Sequence, residues 1–139
     1  MDKFQQFQHK IKEAGQLVKH FQSISLADLT KISIETALKI IAAETRKAGA
    51  RRTAKFTSFW IDLAGLNIDT VIETVLSKNA AYGNAIEEPA MIFCSDSPEN
   101  RLLSRLDDKA ARLLKGKAAG EDTMLDIAGY LLILCALRL

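Results

Sequence analysis

Residues 98–139, PENRLLSRLDDKAARLLKGKAAGEDTMLDIAGYLLILCALRL, decide the fold of this chain. They read as two antiparallel helices joined by a short loop. The first opens on Ser97-Pro98-Glu99, a cap residue, a proline at the first helical position and an acid in the first turn. Leu102, Leu103, Leu106, Ala110, Leu113 and Leu114 form its core stripe. The second helix is apolar on nearly every face, so it is expected to be the central post of the molecule. Its first two turns nevertheless carry Glu121, Asp122 and Asp126, set to face Asp107-Asp108 on the preceding helix. Carboxylates are costly to bury unless a cation pairs with or coordinates them.

Outward from this hairpin the chain stays helical. Phe4, Phe7, Ile11, Ala14, Val18 and Phe21 alternate at spacings of three and four within residues 1–22, a stripe on an otherwise polar helix. That stripe suits docking on its own domain or a dimerisation seam. Ser25 is the expected cap of a second helix with Leu26, Asp28, Leu29, Ile34, Ala37, Leu38 and Ile41, ended by Gly49. A basic cluster follows: Arg46, Lys47, Arg51, Arg52 and Lys55. Thr53 is read as the cap of a third helix carrying Phe56, Phe59, Trp60 and Leu63, stopped by Gly65. Asn67 caps a fourth, with Ile68, Val71, Ile72, Val75 and Leu76 on one face, before Gly83, Asn84 and Pro89 break the pattern. No segment alternates with period two for long enough to make a strand. The expected architecture is all-α: one domain over residues 1–139, a bundle of five or six helices with the antiparallel C-terminal hairpin as its core.

Composition narrows the function classes. The 48% hydrophobic and 26% charged content is that of a globular chain large enough for a core without staples. A net charge of +2 does not by itself indicate a nucleic-acid binder. Cys94 and Cys135 lie in apolar runs without metal or redox spacing and read as buried, reduced thiols of a cytoplasmic protein. The polar start MDKFQQFQHK lacks a signal-peptide core, and the apolar run 131–137 is too short to span a membrane. His9 and His20 have no triad or HExxH partner, and glycine-rich phosphate loops, GxSxG and zinc spacings are all missing from the sequence.

Three groups of residues are left that can carry chemistry. Arg101, Arg105, Asp108 and Arg112 share a face of the helix after Ser97, either as a solvated charge ladder or as one wall of a site for phosphates and a metal. Asp122 and Asp126 project from one side of the last helix, with Tyr130 a turn further on and Gly129 nearby. Their cation is either Mg2+, which takes one or two carboxylates plus phosphates and water, or an arginine from Arg105 or Arg112. Finally, SKNAAYGNAIEEP offers Lys78, Asn79, Tyr82 and Asn84 around a glycine. A tyrosine stacks on a base, an asparagine reads its edge and a lysine neutralises a phosphate, though all are also ordinary turn residues.

YGNAIEEPAMIF, RLDDKAARLLKGK and EDTMLDIAGYLLIL, taken in that order, resemble the nucleotide-modification-associated branch of the MazG-like all-α NTP pyrophosphatases, a family of phages and bacteria. The resemblance covers residues 77–139 and leaves the first seventy unmatched. It implies Mg2+ held by acids on two adjacent helices and a nucleoside triphosphate split into pyrophosphate and a monophosphate. It also implies a homo-oligomer. The departures thin the acidic set. Asp107-Asp108 followed by Lys109 and Arg112 stands where the family carries Glu-Glu-x-x-Glu, Asp122 and Thr123 stand where a glutamate is usual, and Ala81 precedes Tyr82.

Two functions are therefore expected. The first is Mg2+-dependent handling or hydrolysis of a nucleoside triphosphate. Asp108, Asp122 and Asp126 would be the metal ligands, Glu121 and Asp126 the catalytic acids, and Lys78, Tyr82, Asn84, Arg105 and Arg112 the substrate contacts. The second is a helical binding module without catalysis, meeting a protein or nucleic-acid partner through the Phe stripe and the basic cluster. Neither involves a membrane.

Overall fold

The computed structural model describes residues 2–22, 31–116 and 122–139. Among these there are six helices and no strand: α1 (Lys3–Gln22), α2 (Ile34–Thr45), α3 (Ala50–Leu63), α4 (Ile68–Ala81), α5 (Pro98–Leu114) and α6 (Thr123–Leu137). The all-α bundle expected from the sequence is the fold observed.

α6 is the post. It packs against α1, α3, α4 and α5, and residues 131–136 are all buried. α5 runs antiparallel to it, since Glu99 at the start of α5 meets Arg138 just past α6, while Lys109 meets Asp126 near the start of α6. α5 lies on the outside of the bundle, with Leu102 its buried residue. Phe7, Ile11, Ala14 and Val18 are buried and Phe21 packs against the core, so most of the stripe on α1 is used within the chain, while Phe4 at its start is only partly covered. Full burial of Phe7, Ile11 and Val18 contributes roughly 1.5–3 kcal/mol each.

Caps explain where the helices begin. Asn67 accepts from the amides of Asp69 and Thr70, and Ser97 accepts from that of Asn100. Two expected boundaries move. α2 as described starts at Ile34, where the Ser33 side chain accepts from the Thr36 amide as its cap. Ser25, Leu26, Asp28 and Leu29 lie outside the described residues. The third helix starts at Ala50, with Gly49 as its cap rather than the end of α2. Thr53 lies inside its first turn, its hydroxyl donating to the Gly49 carbonyl at 2.9 Å. The thiols also divide. Cys135 is buried, but Cys94 is exposed, because the apolar run around it falls in the α4–α5 connection, where Ile92 and Phe93 find no packing partner either.

Candidate functional site

Around α6 the other helices form an open ring. α4 packs on α1, α1 on α3, α3 on α2 and α2 on α5, while α5 and α4 share no comparable packing. A pocket of about 410 Å³ occupies this opening, over the first half of α6. Leu125, Gly129 and Ile133 of α6 form its floor at one-turn spacing, with Val75 of α4 and Ile86 of the connecting segment adding apolar wall. Gly129 lets α4 come close: a Cβ there would stand 3.2 Å from Val75 Cγ2. The polar lining of the pocket is Thr74, Lys78, Asn79, Tyr82, Arg105, Asp126 and Tyr130.

Asp126 is the electrostatic centre. Lys78 Nζ lies 3.2 Å from its Oδ1 and Lys109 Nζ 3.1 Å from its Oδ2. Burial alone would raise the pKa of this carboxyl. The hydrogen bonds and charges of Lys109 and Lys78 outweigh that and hold it below the ordinary value. The cation that balances Asp126 is thus a pair of lysines, one from each neighbouring helix, rather than Arg105 or Arg112. Arg105 lines the pocket and makes no ion pair with another described residue. Two lysines flank the one carboxylate and Arg105 lines the same pocket, so cations outnumber acids here and the pocket favours an anion.

Of the residues singled out from the sequence, Lys78, Asn79, Tyr82, Arg105, Asp126, Gly129 and Tyr130 meet in the pocket. Asp122, Asp108, Arg112 and Asn84 do not line it. Asp122 is the N-cap of α6 and accepts from the Leu125 amide at 3.1 Å. Asp108 and Arg112 are exposed on α5, and Glu121 lies outside the described residues. Asn84 is 1% exposed and closes the end of α4. Its amide donates to the Asn79 carbonyl, and it follows Gly83 in a second left-handed conformation, φ 65° after φ 59°. Its role there is that of a helix stop.

These positions bear on the expected Mg2+. Among the described residues no three acids, histidines or cysteines converge as a metal cage. Asp122 is engaged as a cap, and both oxygens of Asp126 face ammonium groups that would repel a divalent cation. The described residues do not fit a resident Mg2+.

One contributor, Lys109, escaped the sequence reading, and for another, Asn79, the sequence did not show its setting. Lys109 lies next to the acid pair that drew attention, and only the register of α5 against α6 reveals that it, not Asp108, reaches Asp126. Asn79 was legible as polar, but its burial was not. Its Nδ2 donates to Gln8 Oε1 at 2.9 Å, while its Oδ1 is buried without a partner among the described residues. No protein-family model, curated protein or solved structure matches this chain.

Proposed function

We propose that the pocket between α4, α5 and α6 binds a small phosphorylated molecule with a flat apolar body, of which a nucleotide is the best-fitting class. The observation that carries this reading is the lining itself: an apolar floor under Tyr82 and Tyr130, beside Lys78, Arg105 and the Asp126–Lys109 pair. Phosphate oxygens are neutralised by Arg105, whose planar fork suits them, and by Lys78. Lys78 is half exposed and can leave Asp126 for a stronger anion, while the less exposed Lys109 stays. The flat body lies on the Leu125–Gly129–Ile133 floor against the tyrosine rings. Asn79 Oδ1, lacking a partner, is an acceptor that a small side-chain shift would offer to a ligand amino group.

The MazG-like resemblance supports a nucleotide on independent grounds, and hydrolysis is its natural extension. No hydrolytic step is assigned to a metal, because Asp122 is engaged as a cap, Asp126 faces two lysines and Asp108 does not line the pocket. A thermal-shift panel of nucleoside mono-, di- and triphosphates, with and without Mg2+, tests the reading. A ligand at a hundredfold its dissociation constant stabilises the native state by about 2.7 kcal/mol. A shift with EDTA present that disappears in Arg105→Gln supports it; no shift from any nucleotide defeats it.

A further inference from the structure

We propose that the elbow between α2 and α3 is a docking surface for the phosphate backbone of a nucleic acid. Residues 46–55, RKAGARRTAK, hold five cations and no carboxylate, so the remainder of a chain whose net charge is +2 is net acidic. The positive field is therefore local. All five cations are exposed. Arg51, Arg52 and Lys55 lie within about one turn of each other on the outer side of α3, and Arg46 and Lys47 precede them in the elbow itself. Among the described residues only Arg52 has an acidic partner, Glu44.

The cations are braced rather than loose. The Arg51 guanidinium lies 5.7 Å from the centre of the Phe21 ring, and the Arg52 guanidinium and Lys55 ammonium lie 5.8 and 5.9 Å from that of Phe56. The backbone beneath them is fixed by Arg138, whose Nη1 donates to the Thr45 carbonyl at 2.5 Å and to Thr53 Oγ1 at 2.9 Å. Holding five like charges on a rigid elbow works against the fold. Cations in the first turn of α3 oppose its dipole. α2, α4, α5 and α6 each begin with a side-chain cap and an acid in the first turn; α3 begins with Gly49, no side-chain cap and two arginines. An external anion relieves the repulsion that the described residues compensate only at Arg52.

Its surroundings select the kind of anion. A membrane-surface site joins its basic residues to apolar side chains that insert, and a protein interface has an apolar core. Of the large exposed apolar residues among those described, none belongs to residues 46–55, and Leu139, next to Arg138, is the one whose neighbour reaches the elbow. A charged surface without an apolar centre suits a partner whose affinity comes from phosphate contacts and counterion release. The elbow is separate from the pocket. Cys135, whose Sγ contacts the Ala50 carbonyl, is nine residues beyond Asp126, about 14 Å along α6. This inference does not depend on the nucleotide reading.

The test is fluorescence anisotropy of the full chain with a labelled DNA of ~20 nucleotides, single-stranded and duplex, between about 50 and about 200 mM NaCl. Expected is micromolar binding at low salt to at least one form, with log K falling against log salt at a slope of roughly −2 to −4. The triple change Arg51→Gln, Arg52→Gln, Lys55→Gln should weaken binding at least tenfold and flatten the slope. Gly49→Asp provides the discriminating variant. Gly49 has φ −78° and open space where a Cβ would go, so an aspartate adds a cap and raises Tm. It should nonetheless weaken binding. Absence of binding at the lowest salt, or equal binding by the triple variant, overturns the proposal. So does tighter binding to phosphatidylserine vesicles or to heparin than to DNA.

Discussion

Asp126 separates two electrostatic accounts of the pocket. Were its partner a metal, Asp126→Asn would leave the metal-free protein as stable as before or more so. With Lys78 and Lys109 as partners, the change leaves Lys109 facing a neutral amide in a largely covered position. The expected loss is about 1–3 kcal/mol with or without Mg2+, less than the ~3–5 kcal/mol of a fully buried pair because Lys78 can turn to water. Chemical denaturation in EDTA and in Mg2+ measures it. The pH dependence follows from the sign of the shift. Asp126 has a folded pKa below its unfolded value of about 3.9, so its contribution is present above that value and fades as pH falls through the folded pKa. The stability lost between pH 6 and pH 3 should accordingly be smaller in Asp126→Asn than in the wild type. The cysteines give a second check at this scale. Burial pushes the Cys135 thiol up to about 12, whereas Cys94 is exposed. A thiol reagent should modify Cys94 in the native protein and reach Cys135 only on unfolding.

At the scale of the element, legibility followed the side chains that act locally. Ser97 with Pro98, and Asn67, were readable as caps because cap, spacing and following apolar stripe agree. Thr53 misled because its hydroxyl serves equally well inside a helix, back-bonding to Gly49. Asp122 and Asp126 were correctly assigned to the start of the last helix, but periodicity cannot distinguish an acid that caps from one that faces a neighbour. Packing between elements leaves less trace in the sequence. Gly15 of α1 sits against α4 so closely that a Cβ would lie 2.5 Å from Ile72 Cδ1. Gly15→Leu should therefore cost roughly 1–3 kcal/mol by overpacking, despite leucine's better helix propensity, as a denaturant titration would show.

On the whole-molecule scale, the same arrangement that makes α6 a post opens the ring of helices between α4 and α5. The apolar run of α6 announced the first feature. The second depends on α5 being shared between α6 and α2, which no single-helix pattern encodes. That is why Lys78, Tyr82, Arg105 and Asp126 were found in the sequence while Lys109 as their companion was not. Arg138 is a comparable case, a cation in an apolar tail that turns out to join four helices. It is 9% exposed, pairs with Glu99 of α5, and donates to Thr45 of α2 and Thr53 of α3. Arg138→Ala should destabilise by roughly 2–4 kcal/mol, and Arg138→Lys should recover only part of that, since an ammonium cannot fork between the partners.

Calorimetric titration in EDTA, using whichever nucleotide shifts Tm most, tests the central claim most directly: an anion-binding pocket that needs no resident metal. Expected is saturable one-to-one binding that weakens with salt and falls at least tenfold in the Lys78→Gln, Arg105→Gln double variant. Binding that requires Mg2+, or that the double variant leaves unchanged, would contradict the account.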